Sequence, residues 1–379
     1  MKKVQKIIKN PKVKITHIYK FAPPHDGGIE SVMTQFFVST KDEYDLEVLS
    51  CSNKFKSSTE DGIKNIRCPY FLEWASNTFS LKFLWELHKV DTDIIQYHMP
   101  YIFAVICHFI ARPKYKRMFV TYHLEIVGYD KVMKPFWGIY KKFLKMAEKI
   151  FVVYPDMPKQ SKMINHLSDK CIPIPYGIDL TVEDCSQKAE EIENRYKGKK
   201  ILFSLGRHVP YKGFIYALEA MKNIEGAVYL LGGKGPLTEE FKQYIEDNNL
   251  KEKVILLGRI PDEDINAYYQ ACDVFLFPSV TSAETLGMVQ LEAMKNSKPI
   301  INTWINTGVN YASVDKETGL TVEPKNSEQL VLAINKLLND DALRLQYGKN
   351  ARERAEKLFD IKITKEKYIN LYKLMDENK

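Results

Sequence analysis

Two carboxylates and a set of backbone amides lie close together in residues 277–294. Glu284 and Glu292 have seven residues between them, and the apolar spacing predicts a helix that begins near Thr285. Eight residues of helix rise about 12 Å, which is about the distance from a transferred sugar to the ribose of its nucleotide. Free amides at the start of such a helix could bind a phosphate. These amides belong to Leu286, Gly287 and Met288.

A loop nearer the middle of the chain supplies positive charge. Arg207 and Lys212 follow a strand predicted at residues 200–206, at the same end of the predicted sheet as Glu284. Arginine offers a bidentate fork and lysine a point charge, so the two residues could neutralise a diphosphate leaving group. The alternative is a basic loop that is merely solvated.

Glycines follow two other predicted strands. Gly27 and Gly28 come after the first strand of the chain, and Gly233 comes after the strand predicted at residues 228–231. A position without a side chain lets the backbone approach a ligand, although a tight turn needs glycine for the same reason. No G-x-G-x-x-G follows the first strand, which argues against a nicotinamide or flavin enzyme.

The combined pattern resembles a known family. Glu284 and Glu292 match the E-x7-E signature of retaining glycosyltransferases of the GT-B fold, and the segment around them resembles glycosyltransferase family 4. The loop from Arg207 to Gly213 resembles the phosphate loop of that family, and Gly233 matches its glycine loop. The sequences of residues 280–284 and 306–310 resemble those of bacterial surface-polysaccharide transferases, including the mannosyltransferase and rhamnosyltransferase branches of the family.

The resemblance implies a role for each residue. Front-side attack, with the leaving phosphate accepting the proton, would need no separate base, no metal and no cofactor. The expected catalytic residues are Arg207 and Lys212 on the phosphate, Glu284 on the sugar hydroxyls, and His123, which would position the sugar from the opposite domain. The expected donor-binding residues are Gly27, Gly28, Gly233, Arg259, Ile260, Thr285, Leu286, Gly287, Met288 and Glu292. Of these, Arg259 and Ile260 would lie near the nucleotide base, and Glu292 would bind the ribose.

The alternation of strands and helices predicts an α/β protein with two Rossmann-like doubly wound domains that face a cleft. We place the acceptor-side domain at residues 1–178 and the nucleotide-sugar domain at residues 179–358. By analogy with GT-B relatives, a helix in residues 359–379 would cross back to the first domain. Asp91 and Asp93 form a D-x-D pair, but they precede a strand and so lie at the end of the sheet away from ligands.

Charge and cysteine content indicate the surroundings of the protein. The six cysteines form no C-x-x-C pair, and no apolar run is long enough for a signal peptide or a spanning helix, so we expect a cytoplasmic chain. Residues 1–180 contain 27 Lys+Arg against 18 Asp+Glu, whereas the remainder contains 28 against 30. This asymmetry predicts an anionic membrane surface as a partner rather than nucleic acid, because no RNA-binding aromatic signature or recognition helix accompanies it.

Residues 130–149 interleave lysines with large apolar residues, which fits either a helix in the membrane interface or a helix whose apolar stripe faces the core. The function expected from all these features is retaining transfer of a hexose-like sugar from a nucleotide diphosphate to a hydroxyl acceptor, such as a lipid-linked glycan. Two alternatives remain at this point. One is a sugar-nucleotide 2-epimerase of the same fold, and the other is a non-catalytic subunit that binds a nucleotide sugar.

Overall fold

The computed structural model of the chain describes residues 12–21, 28–74, 77–126 and 134–374. The chain forms two compact units, and each has its own sheet. The first unit consists of Met1–Val152, Pro158–Ile174 and Tyr368–Lys379, and the second of Val153–Met157 and Pro175–Lys367.

The first unit is built on an eight-stranded sheet, beside which β5 and β6 form a separate hairpin. Its strands are β1 (Lys14–Phe21), β2 (Asp45–Ser52), β3 (Lys56–Glu60), β4 (Ile63–Pro69), β5 (Leu72–Trp74), β6 (Asn77–Phe79), β7 (Asp91–Met99), β8 (Lys114–Tyr122), β9 (Lys149–Val152) and β10 (Cys171–Pro173). The order is β10-β9-β8-β7-β1-β2-β4-β3, in which only the pair of β3 with β4 is antiparallel. The helices along this part of the chain are α1 (Gly28–Thr40), α2 (Leu81–His88), α3 (Ile102–Ala111), α4 (Trp137–Met146) and α5 (Met157–Gln160).

The second unit is built on a six-stranded parallel sheet. Its strands are β11 (Lys200–Leu205), β12 (Ala227–Gly232), β13 (Val254–Gly258), β14 (Val274–Phe277), β15 (Ile300–Thr303) and β16 (Gly319–Val322), in the order β13-β12-β11-β14-β15-β16. The remaining helices are α6 (Ser186–Arg195), α7 (Phe214–Met221), α8 (Thr238–Asp247), α9 (Asp262–Ala271), α10 (Met288–Lys295), α11 (Gly308–Ala312), α12 (Ser327–Leu338), α13 (Asp341–Leu358) and α14 (Ile361–Leu374).

The strand order of each sheet reverses direction at its centre. In the first sheet β1 lies between β2 and β7, and in the second sheet β11 lies between β12 and β14. The loops that leave the two central strands at such a point diverge to opposite faces, and ligands of open α/β sheets bind in the crevice between them. The carboxyl edge of β11 and β14 is therefore where we expect a ligand of the second unit.

Aromatic residues of α14 complete the core of the first unit. The ring centroid of Tyr368 lies 4.4 Å from that of Phe36, and Tyr372 meets Tyr44 edge to face at 5.4 Å. The hydroxyl of Tyr372 also donates to the side-chain oxygen of Gln96 in β7. The core of the unit that contains the first strand thus includes residues from the end of the chain.

The core of the second unit surrounds its central strands. β12 is buried along its whole length, as expected for a parallel strand with both faces covered. Buried residues of α7 and α12, among them Leu218, Leu330 and Ile334, belong to the same apolar cluster. Because these helices cover the sheet, the loops at its carboxyl edge are anchored to a packed scaffold.

Two doubly wound α/β sheets were predicted, and the strand orders confirm this fold class. The prediction omitted the strands β3, β4 and β16 of these sheets and both strands of the β5–β6 hairpin. β3 has the polar sequence Lys-Ser-Ser-Thr-Glu and lies exposed at the sheet edge, so it carries no apolar pattern. Within the described part of the chain, no helix combines the length and apolar character needed to span a membrane.

The basic segment at residues 130–149 contains α4. Tyr140, Phe143 and Leu144 are buried, whereas Lys142 and Lys145 are exposed. The apolar stripe of α4 therefore faces the core, which is the second of the two alternatives that the sequence left open. Residues 130–133 lie outside the described residues.

Candidate active site

Two loops of the second unit bring one of the predicted cations, Lys212, to the first carboxylate. The loop after β11 carries Arg207 and Lys212, and the loop after the neighbouring strand β14 carries Glu284. Lys212 Nζ and Glu284 Oε2 form an ion pair, although 72 positions of sequence separate them. The central reversal of the sheet thus places opposite charges from two distant segments in one crevice.

This ion pair is largely removed from solvent. The side chain of Lys212 is 12% exposed and that of Glu284 is 11% exposed. The hydroxyl of Ser279 donates to the same carboxylate oxygen over 3.2 Å. Lys212 Nζ also lies over the rings of Phe277 and Tyr211, 5.2 and 5.5 Å from their centroids. Because a lysine ammonium has three donor hydrogens, Lys212 can bind a further anion without releasing Glu284.

A close backbone contact holds the two loops together. Gly213 has a φ of +65°, and a Cβ atom added there would lie 2.1 Å from the carbonyl oxygen of Pro278. The amide of Val280 donates to the carbonyl of Tyr211 over 2.8 Å. The position after Lys212 therefore requires glycine, and this contact fixes the separation between the basic loop and the carboxylate loop.

Arg207 differs from Lys212 in its surroundings. Its side chain is exposed, and it makes no ion pair with any carboxylate in residues 12–21, 28–74, 77–126 or 134–374. The charges of Lys212 and Glu284 cancel each other, whereas Arg207, on the same loop as Lys212, provides uncompensated positive charge. An anionic ligand would find an available guanidinium there.

The predicted glycine loop after β12 packs against the basic loop. Gly233 has a φ of +110°, and a Cβ atom at this position would lie 2.0 Å from the carbonyl oxygen of Gly206. Its amide donates to the carbonyl of Gly258 over 2.7 Å. Gly233 therefore joins the loops that follow three adjacent strands. Its backbone packs so closely against Gly206 that a side chain would not fit, and this packing alone explains the glycine.

The segment after β13 supplies one buried and one exposed residue. Ile260 is buried, and its Cδ1 atom lies 2.6 Å from where a Cβ atom on Gly232 would be. Arg259 is exposed, next to Gly258 at the end of the strand. The structure thus places both residues at the carboxyl edge, with the side chain of Ile260 used for packing.

The helix of the E-x7-E segment begins later than the sequence predicted. α10 begins at Met288, not near Thr285, because Gly287 has a φ of +76° and a Cβ atom there would lie 2.4 Å from the ring of Phe277. Thr285 and Leu286 therefore belong to the loop. The first amides of α10 have no partner within the helix, so they can still bind an anion.

The later start of α10 changes the geometry inferred for the two glutamates. Only the four steps from Met288 to Glu292 are helical, which corresponds to a rise of about 6 Å rather than the 12 Å expected from eight residues. Glu284 lies before the helix, in the loop. The segment therefore consists of a carboxylate in a loop, a helix start and a second carboxylate one turn into the helix.

Glu292 is the second carboxylate. Lys295 Nζ lies 3.7 Å from its Oε2 atom, and partial burial of the group raises its pKa above the ordinary value, against the opposing effect of Lys295. A carboxylate that keeps free acceptor positions can receive hydrogen bonds from two neighbouring hydroxyl groups. Glu292 is therefore able to bind a diol.

His123 belongs to the first unit, just after β8. It is 2% exposed, and its Nε2 atom lies 2.9 Å from Nδ1 of His98. Of the predicted glycine pair, Gly27 lies outside the described residues, and Gly28 is the first residue of α1.

Several contributors to these sites were not predicted. Ser279 and Gly213 complete the surroundings of the ion pair, and His98 supports His123. The Lys212–Gly213 dipeptide can be recognised in the sequence. The need for glycine at residue 213, however, comes from the nearby carbonyl of Pro278, which only the structure shows. His98 lies within a strand, where a lone histidine carries no recognisable pattern.

The D-x-D pair has structural partners. Asp93 Oδ1 forms an ion pair with Lys116 at 2.6 Å, and its Oδ2 atom accepts from the amide of Lys14 over 2.9 Å. Asp93 thus fastens neighbouring strands at the amino edge of the first sheet, where the sequence placed the pair, and the backbone carbonyl of Asp91 accepts from Lys14 Nζ over 2.9 Å. In the part of the chain that the structure describes, no group of three or more His, Cys, Asp or Glu residues could hold a metal.

Comparison with known proteins gives concordant matches. The family description Glycosyl transferases group 1 matches residues 186–354, which include the ion pair and Glu292. The chain is 30% identical over 374 residues to O-antigen chain mannosyltransferase C of Escherichia coli, covering 97% of this chain and 100% of the relative. It is 28% identical over 355 residues to D-rhamnosyltransferase WbpZ of Pseudomonas aeruginosa, covering 92% of each.

The fold is also found among solved structures. The crystal structure of Anabaena HepE in complex with UDP superposes with a TM-score of 0.78 at 17% identity, covering 95% of this chain and 100% of that one. At this level of identity the similarity concerns the fold.

Proposed function

This chain belongs to the glycosyl transferases of group 1 and has the GT-B fold, and from that premise we propose that it transfers a hexose-like sugar from a nucleotide diphosphate to a hydroxyl acceptor with retention of anomeric configuration. The enzyme class itself, glycosyltransferase, follows from the family. Assignment to glycosyltransferase family 4 and the stereochemistry are the further steps of the proposal.

The observation that carries the proposal is the Lys212–Glu284 ion pair, together with exposed Arg207 on the same loop as Lys212. A diphosphate leaving group develops negative charge as the glycosidic bond breaks. Fixed cations in a partly buried crevice stabilise this charge more in the transition state than in the ground state, which is what accelerates the reaction. Arg207 would bind the phosphate oxygens with its fork, while Lys212 would bind them and Glu284 together.

The remaining site residues fit other parts of one donor. Glu284 would accept hydrogen bonds from the sugar hydroxyls, and Glu292 from the ribose diol. Amides at the start of α10 and in the preceding loop would hold the phosphates; these are the amides of Thr285, Leu286, Gly287 and Met288. We propose that Arg259 and Ile260 lie near the nucleotide base and that Gly233 lets the backbone approach the donor. Gly27 and Gly28 would approach a phosphate or the acceptor, and His123 would position the sugar.

Retention would follow from attack of the acceptor hydroxyl on the face that the diphosphate leaves. The hydroxyl oxygen forms the new bond to the anomeric carbon, the bond from that carbon to the phosphate oxygen breaks, and the phosphate takes the hydroxyl proton. Because the leaving group is itself the base, the mechanism requires neither a separate general base nor a metal or cofactor. Arg207 and Lys212 would supply the charge stabilisation that a metal provides in other enzymes.

The acceptor that we propose is a lipid-linked glycan in cell-surface polysaccharide synthesis. Two relatives named above are an O-antigen chain mannosyltransferase and a rhamnosyltransferase, and both align over more than nine-tenths of this chain. A lipid-linked acceptor lies in a membrane, so the enzyme would work in the cytoplasm at the inner membrane face.

A surface of the first unit supports this location. We call it the aromatic surface; its residues, each between 49% and 74% exposed, are Phe55, Phe71, Leu72, Trp74, Leu81 and Trp85. Leu81 and Trp85 share one face of α2, since they are four residues apart, and the opposite face buries Phe83 and Leu87. Large apolar groups concentrated in this way mark a binding surface rather than scattered exposure.

Lysines accompany the exposed rings. Lys82 Nζ lies 4.6 Å from the ring centroid of Phe55, and Lys89 Nζ lies 5.4 Å from that of Trp85. Both lysines share the single carboxylate of Glu86, at 2.8 and 3.0 Å, so positive charge remains. Aromatic rings with ammonium groups beside them suit the boundary of an anionic lipid layer, where rings enter the interface and lysines meet headgroups.

Donor screening followed by product analysis tests the proposal. A thermal-shift panel of UDP, GDP, dTDP and ADP sugars should reveal one nucleotide that raises the melting temperature. With that donor and a lipid-linked acceptor, NMR of the product should show the anomeric configuration of the donor. An inverted product would reject the retaining mechanism, and stabilisation by none of the donors would reject the donor site.

The same experiment separates the two alternatives. An isomerised free nucleotide sugar would indicate a 2-epimerase, which needs acid and base groups at the sugar. Donor binding without turnover across a panel of acceptors would indicate a non-catalytic subunit.

A further inference from the structure

The side chain of Gln290 is fully buried, and the function proposed above makes no use of it. Gln290 lies in the first turn of α10 and is 0% exposed, although glutamine is mostly found at protein surfaces. It lies between Met288 and Glu292, both of which belong to the proposed donor site. A buried amide at this place needs hydrogen-bond partners, because an unpaired polar group in the interior costs free energy.

The amide nitrogen of Gln290 has two carbonyl partners. Gln290 Nε2 donates to the backbone carbonyl of Leu286, four residues earlier, and to that of Val309 over 3.3 Å. Leu286 lies in the loop before α10, whereas Val309 belongs to α11. One side chain therefore joins this loop to a helix that follows the next strand. We call these two hydrogen bonds the Gln290 brace.

The two carbonyls also determine which way the amide of Gln290 faces. A side-chain oxygen in the place of Nε2 would face two carbonyl oxygens, so the nitrogen must lie there. The other polar atom, Oε1, is buried and has no hydrogen-bond partner among the residues described. Within that part of the chain, the side chain of Gln290 therefore acts as a hydrogen-bond donor alone.

The left-handed backbone of Gly287 explains why the carbonyl of Leu286 needs a side-chain donor. In a regular helix this carbonyl would accept from the backbone amide of Gln290, four residues later. Gly287 has a φ of +76°, and the backbone amide of Gln290 donates instead to the carbonyl of Gly287 over 3.0 Å. The side chain of Gln290 thus replaces the backbone donor that the Leu286 carbonyl has lost.

The bond from Gln290 to Leu286 sets the direction of the next amide in the chain. The peptide that joins Leu286 to Gly287 is trans, and in a planar trans peptide the C=O and N–H bonds point in opposite directions. Because the Leu286 carbonyl points at the buried amide of Gln290, the N–H of Gly287 points away from it. This N–H has no hydrogen-bond partner in the described part of the chain.

Packing holds the same loop at two further places. A Cβ atom on Gly287 would lie 2.4 Å from the ring of Phe277, so the backbone of this glycine rests against a buried aromatic side chain. A Cβ atom on Gly308 would lie 2.6 Å from the carbonyl oxygen of Thr285, so the start of α11 also packs against the loop. These contacts confine the loop, and the Gln290 brace orients the peptide within it.

We propose that Gln290 is a positioning residue, which fixes the Leu286–Gly287 peptide so that the N–H of Gly287 donates to a phosphate oxygen of the nucleotide diphosphate. The identity of the ligand rests on the proposed function, whereas the Gln290 brace does not. An amide that folding has already oriented binds an anion more tightly than one that must be ordered during binding.

Gln290→Met tests the brace, because methionine keeps the length of the side chain but has no donor. We expect a lower melting temperature for the ligand-free full-length protein. Affinity for the tightest-binding of UDP, GDP, dTDP and ADP should fall about 10-fold, the size of one hydrogen bond to a charged group. Affinity for the corresponding nucleoside, which has no phosphate, should change less than about twofold.

Titration calorimetry measures the affinity for the diphosphate, and competition measures that for the nucleoside. Unchanged affinity of Gln290→Met for the diphosphate would overturn the proposal. An equal loss of affinity for diphosphate and nucleoside would also overturn it, because the effect would then not depend on the phosphates.

Gln290→Glu tests whether a donor at this position restores binding. An ionised carboxylate would face two carbonyl oxygens, whereas a protonated carboxyl group has one O–H donor that can replace the bond to Leu286. Burial favours the protonated form, and low pH favours it further. At pH 5 this variant should therefore bind the diphosphate more tightly than Gln290→Met at the same pH. Weaker or equal binding by Gln290→Glu at every pH from 5 to 8 would contradict the proposal.

Asn302 provides the matched control. It is a fully buried amide of the same unit, it lies in β15, and its Nδ2 atom donates to the carbonyl of Ser313 over 3.1 Å. Asn302→Leu should lower the melting temperature but leave the affinity for the diphosphate unchanged. An equal loss of this affinity in Asn302→Leu and Gln290→Met would overturn the proposal, because general loss of packing would then explain both.

The two measurements also separate this inference from the proposed function. If the wild type binds none of the four nucleoside diphosphates, the proposed function fails. The melting temperature of ligand-free Gln290→Met still decides the brace in that case, and a value equal to that of the wild type would reject it.

Discussion

Gly213 packs its backbone directly against the carbonyl of Pro278, and this contact joins the basic loop to the carboxylate loop. A methyl group at residue 213 would lie 2.1 Å from the carbonyl oxygen and 2.7 Å from a methyl group of Val280. The obstacle is partly backbone, which cannot rotate away as a side chain can. The relative position of Lys212 and Glu284 thus depends on a residue that itself carries no functional group.

Gly213→Ala should destabilise the protein and lower its transfer activity. The positive φ costs about 1–2 kcal/mol for alanine, and the steric contact adds about 1–3 kcal/mol. Gly226→Ala is the matched control, since Gly226 has a φ of +68° but nothing within 4 Å of an added Cβ atom. Urea unfolding of both variants measures the difference; equal losses of unfolding free energy would show that the contact with Pro278 is unimportant.

Arg207→Ala should remove activity without affecting stability. The side chain is exposed and makes no ion pair with the described residues, so its loss should leave the melting temperature within about 1 °C of wild type, because such surface changes are usually below 0.5 kcal/mol. The transfer rate should fall by about two to three decades. Steady-state kinetics with the donor found by screening provide the measurement, and near-wild-type turnover would exclude the assigned role.

Lys212→Ala should affect both properties. It leaves Glu284 buried without its cation, which typically costs about 3–5 kcal/mol, in addition to a loss of rate similar to that of Arg207→Ala. The double variant with Glu284→Gln removes the unpaired charge and should recover part of the unfolding free energy, but no activity. A double-mutant cycle with the single Glu284→Gln variant checks this; additive losses of stability would mean that the pair is not coupled.

Glu292 should stabilise donor binding at the expense of folding. Its pKa is raised in the folded protein, so the unfolded chain releases this proton at lower pH, and ionisation at neutral pH opposes folding. At pH values above the raised pKa of Glu292, the Glu292→Gln variant should therefore melt at a higher temperature than the wild type. This gain in melting temperature should shrink as the pH falls through that pKa. The same variant should bind the nucleotide more weakly. Thermal shifts between pH 4 and pH 8 test this, and a gain that grows toward low pH would contradict it.

The aromatic surface should bind anionic vesicles. Replacement of Phe71 and Trp85 by serine should reduce cosedimentation with vesicles of acidic phospholipid, since each ring contributes apolar burial at the interface. Leu332 and Leu345 are similarly exposed in the second unit, and their replacement by serine should leave binding unchanged.

The lysines of α4 provide a second comparison for this surface. Reversal of charge at Lys141, Lys142 and Lys145 tests the alternative that α4 contributes. Equal vesicle binding by the wild type and the Phe71/Trp85 variant would exclude the aromatic surface as the membrane-binding site. Loss of binding only in the lysine variant would transfer the role to α4.

The sequence predicted the two sheets and the loops of the site because apolar strands and family-like motifs are local features. It placed the start of α10 three residues too early, since the limit is set by the ring of Phe277 against Gly287, a contact between distant residues. The same holds for Gly213, whose requirement depends on the carbonyl of Pro278. Motifs thus located the candidate residues, whereas steric contacts between the loops determine how those residues are arranged.

The contacts among His17, His98 and His123 could not be predicted from single residues. His17 and His98 lie within apolar strands 81 positions apart, and nothing in their spacing indicates that the strands are neighbours. Strand order and register bring the rings together, and both depend on the whole sheet. The sequence likewise suggested a membrane contact in the basic segment at residues 130–149, whereas the surface that we propose for this role lies mainly on α2 and the adjoining hairpin, where the sequence pattern is irregular.

Tyr368 and Tyr372 have a consequence for how the protein is made. They pack against Phe36 and Tyr44, so the core of the first unit is complete only when the final helix has left the ribosome. Until then the growing chain carries an unfilled apolar gap beside its earliest strands while the entire second unit is synthesised. Premature termination anywhere before residue 368 would leave the first unit without these two rings, so that its apolar gap would stay exposed to water.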